Sequence, residues 1–170
     1  MTIRPERPDD AAAIRAVHLA AFPSPAEADL VELIRASDGF VPDLSLVAED
    51  PDGGIVGHIL LSHVGIAGSP DPVLALAPMA VVPERQRQGI GSALTRAALD
   101  AAEARDEPLV IVLGHPWFYP RFGFRPASRY GIFPPAATWP DAAFMAKPLT
   151  TWRSDLKGRV LYPPAFGRLT

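Results

Sequence analysis

Val81-Val82-Pro83-Glu84-Arg85-Gln86-Arg87-Gln88-Gly89-Ile90-Gly91-Ser92 joins the end of an apolar, strand-like run to the start of a long helical one. A basic, polar turn lies between them, and two glycines open the helix. The first turn of a helix leaves backbone N–H groups unpaired and carries roughly half a positive charge. Glycine lets an anion approach that backbone without a Cβ in the way. Arg85 and Arg87 add positive charge beside it. The pattern suits a phosphate or a pyrophosphate. The plainer alternative is a helix start whose glycines serve packing, and glycine spacing by itself leaves both open. Two common nucleotide motifs do not fit. A dinucleotide fingerprint needs a third glycine where Leu94 stands, and a Walker A loop needs Gly-Lys-Ser/Thr.

Downstream, Gly89 to Arg105 reads as the clearest helix, with Ile90, Leu94, Ala97, Ala98 and Ala101 on its apolar face. Pro108 forbids extension, and Leu109 to Leu113 is a short apolar strand. Gly114-His115-Pro116 breaks it before an aromatic cluster, Trp117, Phe118, Tyr119, Phe122 and Phe124. Ala142 to Ala146 and Arg159 to Tyr162 read as further short strands. Upstream, Val73 to Val82 reads as a buried strand with Pro78 inside it. Proline cannot donate to a ladder, so this strand lies at an edge or is bulged there. Leu44 to Glu49 and Ile55 to Val64 flank the turn Asp50-Pro51-Asp52-Gly53-Gly54. Ile14, Val17, His18, Ala21 and Phe22 recur at helical spacing between Asp9 and Phe22, with Asp9 or Asp10 to cap them. Ser24-Pro25-Ala26-Glu27 reads as a capping box that opens a second helix, with Leu30, Leu33 and Ile34 on one face. The order is strand, two helices, three strands, helix, strand, short helix, strands. That is a mixed α/β (α+β) fold with a largely antiparallel start. Residues 1–150 read as one domain and 151–170 as a C-terminal extension packed on it.

Composition narrows the function classes. Of 170 residues, 48% are apolar and 21% charged, which argues against wholesale disorder. The formal net charge of −3 weighs against a nucleic-acid partner. There is no cysteine, which removes disulfides, CxxC zinc sites, iron–sulfur ligation and a cysteine nucleophile together. No metal site is expected. The 20 prolines are scattered and act as punctuation rather than as a repeat. Val73 to Val82 is the longest apolar run and is far short of the ~20 residues of a membrane span. The charged start does not fit a signal peptide, so a soluble, cytoplasmic protein with no membrane partner is expected.

Gln86-x-x-Gly89-x-Gly91, placed after Met79-Ala80-Val81-Val82-Pro83-Glu84, resembles the acetyl-CoA signature of the GNAT N-acetyltransferase superfamily. Gly114-His115-Pro116-Trp117-Phe118-Tyr119-Pro120-Arg121-Phe122-Gly123-Phe124 is similar to its YhbS-like subgroup. The two motifs stand in the family order with a strand between them, and the resemblance covers roughly residues 1 to 150. It implies a GNAT-like fold: a central, mostly antiparallel sheet, splayed at a β-bulge and flanked by helices. It implies transfer of an acetyl group from acetyl-CoA, a cosubstrate, to a primary amine of a small molecule or peptide by direct attack. The pyrophosphate would lie on backbone N–H groups of Arg87, Gln88, Gly89, Ile90, Gly91 and Ser92. The pantetheine arm would run along Met79, Ala80 and Val81. Tyr119, five residues before Phe124, stands where family members place the tyrosine that protonates the departing thiolate. Its plainer reading is one more aromatic in a core cluster. Dimers are common in the family, which leaves a homodimer open.

The sequence departs from the family in two places. Many relatives carry an acidic residue on the strand before the signature, and Val73 to Val82 has none. A base would then be His63, His115 or a water relay, although surface or satisfied-core positions are the plainer reading of both histidines. The asparagine that many relatives place near the tyrosine is also missing, since the chain has no asparagine. These gaps leave room for an alternative, a non-catalytic acyl-CoA-binding or sensing module. Ser92 lacks a His–Asp pairing and is not read as a nucleophile. Glu103, Asp106 and Glu107 read as a solvated helix end, and Arg121, Arg125 and Arg129 as exposed arginines.

Overall fold

The computed structural model describes residues 1–167. The chain runs through β1 (Thr2–Pro5), α1 (Ala11–Ala21), α2 (Ala26–Arg35), β2 (Ser45–Glu49), β3 (Ile55–Ile66) and β4 (Val73–Val81). It continues through α3 (Ile90–Ala104), β5 (Leu109–Leu113), β6 (Arg125–Pro126), β7 (Ile132–Phe133), β8 (Phe144–Pro148) and β9 (Gly158–Leu161). The strands form one sheet in the order β1-β2-β3-β4-β5-β8-β6, with β9 paired to β3 and β7. Pairing is antiparallel from β1 through β4. Between β4 and β5 it is parallel, because α3 carries the chain back across the sheet.

Each face of the sheet is covered. On one, Ile90, Leu94, Ala98, Leu99 and Ala102 of α3 pack with Leu46, Ile59, Leu61, Leu74 and Val112, and with Tyr119, Phe122 and Phe124. On the other, Ile14 of α1 and Leu30, Val31 and Ile34 of α2 pack with Val47, Leu60, Ala75 and Ile111. Leu33 does not join them. It is 45% exposed, because helical rotation carries it off the stripe formed by Leu30, Val31 and Ile34.

Two expected caps are replaced by other contacts. Asp10 sits at the N-cap of α1 but does not cap it. Its carboxylate accepts the Arg7 backbone N–H at 2.6 Å and pairs with Arg4 at 2.7 Å. Ser24 Oγ accepts the Ala26 N–H at 3.3 Å, but Pro25 is the N-cap and no side chain caps α2. Glu27 therefore does not close a capping box.

Pro78 lies inside the sheet, so of its two expected placements the bulge is the one found. Ile59 pairs with Met79, and Leu61 with Leu76. β4 thus carries one residue more than β3 across this step, and the surplus falls at Ala77-Pro78. No helix of the described residues is long and apolar enough to cross a membrane.

Candidate active site

β4 and β5 are paired only at Leu74–Val110 and Ala75–Ile111, and beyond those pairs they part. On its other side β4 stays bound to β3 through Val81. The outer half of β4 therefore has a backbone edge with no neighbouring strand. A cleft of about 690 Å³ opens there, lined by Leu76 to Val81, by Val112 to His115, and by the start of α3. Phe22, Glu27, Arg85 to Arg87, Arg121 and the segment from Trp117 to Tyr119 also line it.

The start of α3 is built to face this cleft. Gly89 is its N-cap, with φ 85°, and no side chain caps the helix. A residue with a Cβ would be strained there, so glycine is needed for the turn itself. Arg87, also at positive φ (62°), precedes it. The turn before the helix is tied down from several sides. Gln86 Nε2 donates to the Val81 carbonyl at 2.9 Å. Arg85 donates to Asp50 at 2.7 Å, and that carboxylate raises the guanidinium's pKa above its usual value. Arg85 is thereby committed to the turn. Arg87 makes no hydrogen bond or ion pair among the described residues and lines the cleft.

Of the residues expected to hold the cosubstrate, Met79, Ala80, Val81, Arg87, Gly89, Ile90, Gly91 and Ser92 all line this one cleft. Gln88 does not. Its side chain folds back onto the turn, with Oε1 accepting from Arg85 at 3.0 Å and Nε2 donating to the Glu84 carbonyl at 3.3 Å.

Tyr119 lines the same cleft. It begins a 3-10 turn, Tyr119–Phe122, that follows the end of β5. Its ring is 7% exposed and packs edge-on against Phe118 and Phe124 at 5.0 and 5.6 Å. A Cβ on Gly114 would fall 2.4 Å from Tyr119 Cε2, so the ring occupies space only glycine leaves free. Burial raises the phenol's pKa to about 12, which keeps its proton in place at neutral pH. The hydroxyl has no hydrogen-bond partner among the described residues. It is a proton donor with nothing in the fold to donate to.

The two histidines named as bases separate. His115 lines the cleft, stacked on the exposed Trp117 with ring centroids 4.8 Å apart. His63 does not reach it. His63 Nε2 lies 2.6 Å from Glu107 Oε1, and Glu107 lines a different groove with Asp71 and Asp155. Glu107 is buried and paired, not part of a solvated helix end. Glu103 also has a partner, the Thr150 N–H at 2.9 Å. Arg121, Arg125 and Arg129 are exposed as expected, and Arg121 lines the cleft.

Two features escaped the sequence reading. One is Glu27, which lines the cleft with its Oε2 buried and unpartnered. The other is a buried polar chain behind the sheet. His18 Nε2 meets His58 Nδ1 at 2.8 Å, His58 Nε2 meets Ser45 Oγ at 2.8 Å, and Ser45 donates to Glu6, which pairs with Arg35 at 2.9 Å. Both imidazoles are fully buried. Desolvation, with Arg35 nearby, lowers His18 to about 4, and it drives His58 well below its ordinary value.

Residues 42–126 match the family model for the acetyltransferase (GNAT) domain. The chain is 37% identical over 168 residues to the uncharacterized N-acetyltransferase YjhQ of Escherichia coli strain K12, covering 95% of this chain and 92% of that one. It is 36% identical over 171 residues to the uncharacterized N-acetyltransferase YhbS of the same strain, covering 99% of each. Among solved structures, it resembles E. coli YhbS in complex with CoA, with a TM-score of 0.91 and 30% identity over 99% of this chain and 93% of that one. It also resembles a GNAT family acetyltransferase from Brucella melitensis in complex with acetyl-CoA, with a TM-score of 0.79 and 34% identity over 97% of both chains.

Proposed function

Because the chain belongs to the GNAT N-acetyltransferase family, we propose that it transfers an acetyl group from acetyl-CoA to a primary amine by direct attack, with no covalent enzyme intermediate. One observation carries the reading. The unpaired edge of β4 at Met79 to Val81, the uncapped start of α3 and the free Tyr119 hydroxyl all open on one cleft. The CoA and acetyl-CoA held by the two similar structures agree with it.

The N–H groups at the start of α3 receive the pyrophosphate, where the helix dipole favours negative charge. Arg87 adds a charged contact. Gln88 contributes through its backbone alone, since its side chain is spent on the turn. The pantetheine arm pairs along Met79 to Val81 in place of the missing strand. A backbone N–H of that edge polarises the thioester carbonyl as negative charge builds on its oxygen. The amine nitrogen bonds to the acetyl carbon, the C–S bond breaks, and its electron pair goes to sulfur. Tyr119 supplies that sulfur's proton. A phenol held above its ordinary pKa is protonated when the thiolate forms. Proximity supplies much of the rate.

A thermal shift with acetyl-CoA, CoA, ATP and NAD in parallel tests the cosubstrate. A ligand at 100 times its Kd adds about 2.7 kcal/mol, which raises the midpoint of a domain this size by roughly 5–10 °C. Both CoA forms are expected to shift it, and ATP and NAD are not. Tyr119→Phe is then expected to lower kcat about a hundredfold on a verified amine, with acetyl-CoA affinity unchanged. Full activity in that variant refutes the acid. Binding without transfer to any amine or peptide N-terminus supports the non-catalytic alternative.

A further inference from the structure

Glu27 stands in the first turn of α2, where its spacing from Ser24 suggests a cap, yet it makes none. It lines the cleft instead, and its Oε2 is buried without a hydrogen-bond partner. A buried carboxylate oxygen without a donor is unfavourable, and a ligand donor removes the cost. Among the described residues that line the cleft, Glu27 is the one carboxylate. The other formally charged residues of the lining are arginines. Arg85 is bound to Asp50, Arg87 lies at the phosphate end, and Arg121 lies over the Phe118 ring at 4.9 Å.

Much of the rest of the cleft lining is apolar. Phe22, five residues before Glu27, also lines the cleft. Leu113 and Trp117, 46% and 69% exposed, lie on the same cleft. Large apolar side chains left open at a cavity mouth mark a contact surface. We propose that Glu27 seats the ammonium group of the acceptor, and that the acceptor is a monoamine with an apolar or aromatic group next to its nitrogen. This rests on the acetyl-transfer reading above and names the substrate class for it. A second ammonium, as in a polyamine, finds no carboxylate there.

The chemistry balances. An ammonium becomes an amide by losing two protons. Glu27 Oε2 takes the first and passes it to solvent, which frees the lone pair for attack. The second leaves the nitrogen as the C–S bond breaks and restores Tyr119 by way of solvent, after the Tyr119 proton has gone to sulfur. The carboxylate missing from β4 is thus supplied by α2.

Calorimetric titration of the CoA-saturated protein tests the site without requiring turnover. The probes are phenethylamine and its charge-reversed analogue 3-phenylpropionate, in wild type and Glu27→Gln. Wild type is expected to prefer the amine at least tenfold. Glu27→Gln is expected to lose at least tenfold for the amine and nothing for the acid, with melting temperature and acetyl-CoA affinity unchanged. Equal affinity of wild type for both probes, or of both proteins for the amine, overturns the proposal. In turnover, Glu27→Gln is expected to lose about a hundredfold in kcat/KM on phenethylamine at pH 7, and far less on aniline, which is already neutral there. Equal losses on both amines overturn the proposal, since a merely structural lesion acts alike on both. Glu27-dependent amine binding with no acetyl transfer upholds this site and refutes the transfer reading instead.

Discussion

Gly114→Ala puts the geometry of the tyrosine under direct test. The added Cβ would stand 2.4 Å from Tyr119 Cε2 and 2.9 Å from Cδ2. Carbon atoms in contact sit about 3.5–4.0 Å apart, so the ring must retreat by about 1 Å or more. It has little room to do so, because Phe118 and Phe124 brace it at 5.0 and 5.6 Å and the residue is 7% exposed. Overpacking of this kind costs about 1–3 kcal/mol. At about 2 kcal/mol, the melting temperature of a domain this size falls by about 4–8 °C. A displacement of about 1 Å in a reacting group lowers turnover about a hundredfold. Urea melts and steady-state kinetics on the same preparations measure the two effects. The double variant Gly114→Ala/Tyr119→Phe separates them. If the kinetic loss runs through the tyrosine, the double variant turns over no more slowly than Tyr119→Phe alone. Gly114→Ala with wild-type stability and kcat would falsify the account of a ring held in place by that glycine.

Two further perturbations address separate parts of the molecule. His18 is lowered to about 4 in the fold from an ordinary 6.5, with Arg35 and the His58 imidazole nearby and Glu6 reached through Ser45. The unfolded chain therefore binds more protons, and stability falls as pH drops from about 6.5 toward 4, by about 3 kcal/mol for His18 alone. Calorimetry at pH 5 in buffers of different ionisation enthalpy should show uptake of about one to two protons on unfolding, and no uptake contradicts the buried neutral pair. Arg87→Gln should weaken acetyl-CoA about tenfold and flatten the salt dependence of binding, because a charge-assisted contact to phosphate is lost. An unchanged Kd and salt slope place the Arg87 guanidinium away from the phosphates.

Where the chain's own punctuation bounded an element, the sequence located it closely. Pro108 and Gly114 enclose β5, and the strand occupies Leu109–Leu113 as read. The long helix came within one residue at each end, because its apolar repeat is strong and a glycine opens it. The interruption in β4 was legible, as an edge or a bulge, because proline has no N–H to give a ladder. What stayed hidden depends on chain segments far apart in sequence. Glu107 follows a helix and looks solvated, yet it is bound to His63, 44 residues earlier. His18 fits the apolar stripe of α1 by spacing, and nothing local shows that its nitrogen meets His58. Glu27 satisfies the local pattern of a capping residue, and only the packing of α2 beside the cleft reassigns it. Gln88 was read as a backbone contact, and nothing in the sequence shows that its side chain is taken up by Arg85 and the Glu84 carbonyl.

The surplus residue in β4 also sets the parity of the strand. Before it, Leu74 and Leu76 point to the α3 side, and Val73 and Ala75 to the side of α1 and α2. After it, the odd-numbered Met79 and Val81 point to the α3 side. Side chains alternate along a strand, so the surplus residue shifts the numbering while the paired faces stay aligned: Met79 stands opposite Ile59, which also faces α3. Deleting one residue at Ala77-Pro78 would leave Met79 opposite Ile59 and facing α3, but would even out the ladder and remove the bulge from the cleft edge. Substitutions along this strand therefore trade one side chain for another, whereas the loss of a residue there removes the irregularity that lines the cleft.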